Sequence, residues 1–175
     1  MRVRFPLAAM LGAFIPATAF AATGDIRCIE NRLGTATMAR IGDGVVAAAD
    51  KGSDPSASLD ADRDALIAAR DWCRRENNWS APASLAAVSY TQARATRIGV
   101  QIALEADRIP LSRLNDSYAA LAITDRQSMI RQMSPRALEA IRIAAGGNVR
   151  ARRHIALYLA SLAAFEFYPA EFAAG

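Results

Sequence analysis

Apolar positions recur at helical spacing through most of this chain, and the densest run lies in its last long segment, Asn148 to Tyr168. After Arg150, Arg152, Arg153 and the single histidine, His154, that segment is almost wholly apolar from Ile155 to Phe165. A helix apolar on every side belongs in a core, so the pattern predicts a central helix here. Upstream, Ile26, Ile29, Leu33, Ala36, Ile41, Val45 and Ala48 predict a helix over residues 25–50, with Gly42 and Gly44 expected to divide or bend it. A second helix is predicted over 60–76, with Leu66, Ala69 and Cys73 on one face. A third runs from Ser80-Ala81-Pro82 to about Arg108. In it Leu85, Val88, Ala95, Ile98, Gly99, Ile102 and Ala106 form the expected buried stripe, and the small residues at 95, 99 and 106 would let a neighbour approach closely.

The remaining pieces are shorter and are set by local punctuation. Lys51 to Ser58 is a connector by composition. Pro110 to Leu121 makes a short helix, and Thr124-Asp125-Arg126-Gln127 opens another, to about Met133, with a capping-box pattern. Ser134-Pro135 starts a helix that carries Leu138, Ile141 and Ala145 inward and stops at Gly146-Gly147. Asn148 then caps the central helix. The expectation is an all-α fold: a single-domain bundle of about five to seven helices around a buried C-terminal helix, with one disulfide.

Composition supports this and adds an address. Apolar residues make up 53% and charged residues 22% of 175, which excludes disorder, and the excess is largely alanine, a strong helix former. Residues 1–21 have the form of a secretory signal: Arg2 and Arg4, an apolar run from Phe5 to Ile15, and Ala19-Phe20-Ala21 as a small-x-small cleavage site. Residues 22–175 are then the domain. Losing Arg2 and Arg4 lowers the formal charge from +4 to +2, so no nucleic-acid partner is expected. Cys28 follows Asp25-Ile26-Arg27 rather than a small residue, which argues against a lipid anchor. The central helix has only about eleven clean apolar residues before Glu166, short of the roughly 20 a membrane span needs. A soluble periplasmic or secreted protein is expected, and in that compartment the only two cysteines, Cys28 and Cys73, should pair.

Candidate chemistry is sparse. One histidine rules out sites needing two imidazoles, and the chain lacks His-Glu-x-x-His, Cys-x-x-Cys, Gly-x-Ser-x-Gly and phosphate-binding glycine loops. Asp60, Asp62, Asp64, Ile67 and Asp71 fall at calcium-loop positions, but Ala65 stands where the sharp turn needs glycine; the acids are expected to cap a helix, and no metal or cofactor is expected. A carboxylate pair such as Asp107 with Glu139 or Glu166 would be needed for a hydrolase. Ile123-Thr124-Asp125-Arg126-Gln127 resembles the Leu-Thr-x-x-Gln motif of the periplasmic stress chaperones related to Spy and CpxP, small exported all-helical proteins. That family carries the motif twice, and the second candidate here, Met133 to Ala137, lacks the glutamine.

One conflict between local rules marks a site. Arg150, Arg152 and Arg153 stand at a helix start, where the dipole disfavours cations by about 0.3–1 kcal/mol each. Either they are solvated or pair with the acidic second helix, or Gly146, Gly147, Arg150, Arg152, Arg153 and His154 bind a phosphate or carboxylate. The expected function is that of a non-enzymatic binding or interaction protein of the cell envelope, whose partner is an anionic envelope ligand or another protein. The alternatives are a periplasmic stress chaperone and a small hydrolase using a carboxylate pair.

Overall fold

The computed structural model of the protein describes residues 22–54, 60 and 62–175. The expected signal segment, 1–21, lies outside them, as do residues 55–59 of the connector and Ala61 of the aspartate-rich stretch. Seven helices follow in order: α1 (Cys28–Lys51), α2 (Arg63–Glu76), α3 (Ala81–Ala106), α4 (Leu111–Ala119), α5 (Ile123–Ser128), α6 (Pro135–Ala145) and α7 (Val149–Ala174). The described residues include no strand, and no helix of theirs is long and apolar enough to cross a membrane.

Local punctuation places most of the ends. The hydroxyls of Ser80 and Ser134 accept from the N–H groups of Ala83 and Ala137, each with a proline in the first turn behind them. Gly146 ends α6 in the left-handed conformation, φ +56°, and the Asn148 side chain accepts from Ala151 to start α7.

α3 is the hub of the packing, with α1 against one side and α7 against the other. α1 runs parallel to α3, Glu30 pairing with Arg94 and Gly42 meeting Gly99 further along. α7 runs antiparallel, so that its end lies beside the start of α3. Its stretch from His154 to Phe165 is buried or half-buried throughout, as expected of a helix apolar on all sides. The larger core gathers Val100, Leu104, Leu114, Ile141, Ile155, Tyr158 and Leu159 from α3, α4, α6 and α7. A second cluster joins Ile29, Cys73, Trp79, Ala83 and Phe172, the Trp79 and Phe172 rings meeting edge to face at 5.1 Å. The Cys28–Cys73 disulfide, Cα–Cα 6.0 Å, ties the start of α1 to α2 beside this cluster.

Several expectations are corrected. The buried stripe of α3 is Ala83, Ala87, Thr91, Ala95, Val100, Ala103 and Leu104, whereas Leu85 (67%), Ile102 (63%), Ile98 (37%) and Ala106 are exposed. With a helix on each side, α3 spends its small residues on close contact and leaves larger ones outside. Leu138 faces out as well, although Ile141 and Ala145 are buried. The break in α1 falls at Gly34, φ +76°, not at Gly42 or Gly44, through which the helix continues. α5 begins one residue before Thr124 and stops at Ser128, with no side chain capping it, so the capping box does not form. α2 begins at Arg63; Asp62 pairs with Arg40 at 2.7 Å and Asp60 with Arg63, leaving only Asp64 in the first turn.

Candidate functional site

The sequence drew attention to the start of α7, where the structure supplies local partners for the cations. Arg150 donates from Nε to Asp50 Oδ1 (2.7 Å) and from Nη2 to Oδ2 (3.1 Å), and lies 3.7 Å from Asp107. Arg153 donates to the carbonyls of Ala49 and Asp50 at the end of α1, where the helix dipole is negative. His154 is fully buried, its Nε2 3.0 Å from Asp50 and its Nδ1 3.7 Å from Asp107, both outside hydrogen-bond geometry. The hydrogen bond from Arg150, with its charge, outweighs the effect of burial and holds the Asp50 carboxyl below its ordinary range. The compensating acids thus come from the ends of α1 and α3, not from the second helix. Gly146, Gly147 and Arg152 remain exposed, and among the described residues Arg152 makes no ion pair. The junction joins three helices, and three of the six residues expected to hold an anion are engaged by the protein itself.

The carboxylates considered for acid–base work do not meet. Asp107 faces His154, and Glu139 is held by Arg142 at 2.6–2.7 Å. Glu166 accepts from Tyr118 (2.6 Å) and Arg126 (3.0 Å), twelve residues along α7 from His154, or about 18 Å. Burial, with the hydrogen bond and charge of Glu166, pushes the Tyr118 phenol well up. Among the described residues no group of three or more His, Cys, Asp or Glu side chains could hold a metal ion.

An open groove lies at the other end of the α3/α7 pair. It holds about 610 Å³ and is walled by Leu85 and Ala86 of α3, Tyr168 and Glu171 of α7, and Ile130 and Arg131 from the α5–α6 connection. Ser89, Ile130 and Tyr168 carry it on into a hollow of about 200 Å³ beside Gln92, Thr96 and Leu157. Ile130, Arg131 and Glu171 carry it the other way into one of about 290 Å³ beside Thr124 and Gln127. Arg131 and Glu171 make no ion pair among the described residues. Such a surface presents apolar area, hydroxyls, amides and, among the described residues, one unpaired charge of each sign. Sequence reasoning missed it because its walls, 82–96 and 168–175, lie far apart in the chain. The available signal, Leu85, was assigned to the core.

Comparison with protein-family models, with curated proteins and with solved structures finds no match for this chain.

Proposed function

We propose that this chain is an exported, non-enzymatic binding protein of the cell envelope, periplasmic or secreted, whose ligand is a polypeptide segment of another protein taken in the α3/α7 groove. The observation that carries the reading is the groove itself. Leu85, Ile130 and Tyr168 offer apolar contact, and Ser89, Gln92 and Thr96, on one side of α3, offer hydrogen-bonding groups that a peptide backbone requires. Arg131 and Glu171, unpaired among the described residues, suit a segment carrying charges of both signs. The signal-like first 21 residues and the disulfide support export.

The test is fluorescence anisotropy with a panel of labelled peptides of mixed charge and apolar core, against wild type and Leu85→Asp and Ile130→Asp variants. Binding that weakens at least about tenfold in both variants, roughly 1.4 kcal/mol, is expected. No binding by wild type, or equal binding by folded variants, refutes the reading.

The stress-chaperone reading has one observation in its favour: outside the groove, Ile102, Ile123, Leu138, Ile143 and Val149 are each more than half exposed. A holdase would suppress aggregation of an unfolded client at near-stoichiometric amounts, and would do so equally well with the groove variants.

A further inference from the structure

A second cleft, of about 540 Å³, opens beside the disulfide between the start of α1 and the end of α2, and its lining differs in kind from that of the groove. Trp72 supplies the one aromatic surface; around it stand the carboxylates of Asp25 and Glu76, the amides of Asn31 and Asn77, and the Arg32 guanidinium. The Arg32 carbon Cζ lies 4.7 Å from the Trp72 ring centroid. Arg32 is exposed, and this ring contact is its only side-chain interaction among the described residues. The side chains of Asn31 and Glu76 make no hydrogen bond or ion pair among them either. Asp25 spends Oδ1 on the Arg27 N–H at 2.8 Å. Asn77 is fixed in place, donating to the Cys73 carbonyl at 2.9 Å and to Cys28 Sγ at 3.8 Å. The frame is therefore pinned by the disulfide, while several planar polar groups keep their hydrogen-bonding capacity for something else.

A flat aromatic ring bordered by free carboxylate, amide and guanidinium groups complements a pyranose. The C–H face of the sugar takes the place of the Arg32 guanidinium over the ring, which among the described residues only that contact holds there. The sugar hydroxyls, each both donor and acceptor, satisfy the displaced guanidinium and the planar groups beside it. Two carboxylates against one guanidinium disfavour an anionic sugar. We infer that this cleft binds a neutral saccharide unit, a hexose or N-acetylhexosamine of an envelope glycan, with Trp72 as its platform and Asn31, Arg32 and Glu76 as its hydroxyl partners. The site is separate from the α3/α7 groove and stands or falls without it.

Trp72 also makes the test direct. The second tryptophan, Trp79, is 3% exposed and donates its N–H to the Thr23 carbonyl at 2.7 Å, so a ligand in the cleft changes the emission of Trp72. The disulfide-bonded protein is titrated with chitotetraose, cellotetraose and, as the charged counterpart, tetragalacturonate, following tryptophan fluorescence. Saturable change with a neutral tetrasaccharide is expected, and which of the two binds identifies the unit. The exposed substitutions Asn31→Ala and Glu76→Ala should weaken it at least about tenfold, and Trp72→Ala should abolish heat of binding in calorimetry. No saturable change with either neutral sugar at about 10 mM, weaker than any affinity worth about 2.7 kcal/mol, overturns the inference. So does equally tight binding of the galacturonate, or unchanged binding by the Asn31 and Glu76 variants.

Discussion

Where α1 crosses α3, Gly42 and Gly99 meet backbone to backbone, and replacing either by alanine is a sharp test of the packing. A Cβ on Gly99 would stand 2.4 Å from the Gly42 carbonyl oxygen and 2.6 Å from its carbon; one on Gly42 would stand 2.4 Å from the Ala95 carbonyl oxygen. These obstacles are main chain and cannot swing aside. Normal contact requires the helices to separate by roughly 1 Å, which loosens Met38 and Ile41 against Ala95. Overpacking of this kind costs about 1–3 kcal/mol, and backbone obstruction places it at the upper end. Against that, alanine is favoured over glycine inside a helix by about 1 kcal/mol. The net expectation is a loss of about 2 kcal/mol for each single variant, and less than twice that for the pair, because the first substitution already opens the crossing. Urea denaturation of the oxidised protein measures it. A Gly99→Ala variant as stable as wild type, or more so, would refute the close crossing, because helix propensity alone predicts that sign.

Three further outcomes follow from the structure. Leu159→Ala should cost about 2–5 kcal/mol, while half-buried Leu157→Ala should cost distinctly less; chemical denaturation compares them. Reducing the Cys28–Cys73 bond, which spans 45 residues, should lower stability by about 2–4 kcal/mol, measured as the shift in urea midpoint with and without reductant. Burial raises the Glu30 pKa, but hydrogen bonds and charge from Arg94 and Arg27 outweigh it and leave the folded value below the ordinary 4.5. That contribution is present above about pH 4.5 and is lost as pH falls through the folded value, so Glu30→Gln should be less stable by about 1–2 kcal/mol at pH 7 and converge on wild type in acid.

The elements legible in the sequence were those fixed by neighbours within a turn. Ser80, Ser134 and Asn148 cap the helices they precede, Gly146 stops α6, and the apolar run of α7 is as covered as its composition demands. What depended on distant partners was misplaced. Hydrophobicity ranks Leu85, Ile98 and Ile102 above Ala83, Ala87 and Ala95, yet contact on two sides at once selects for smallness. Gly42 carries no local sign that its partner is Gly99 rather than a bend, and Gly34, exposed and followed by a resumed helix, resembles any helical glycine. At the start of α7 the conflict of three arginines with the helix dipole was legible, but its resolution by Asp50 and Asp107 was not, since both lie on other helices. The groove and the Trp72 cleft were invisible for the same reason.

The position of α3 has a kinetic consequence. Its salt bridge to Glu30 spans 64 residues in one direction, and its contact with Tyr158 spans 61 in the other. Closing loops three times longer than those of a bundle whose successive helices pair costs about 1 kcal/mol more for each. The helices themselves form in microseconds, but the two main interfaces must wait for the chain between to be threaded into place. Folding should therefore be slow for an all-helical protein. Because the ring of Trp79 is covered by Phe172, near the far end of α7, its fluorescence times the docking of that last helix.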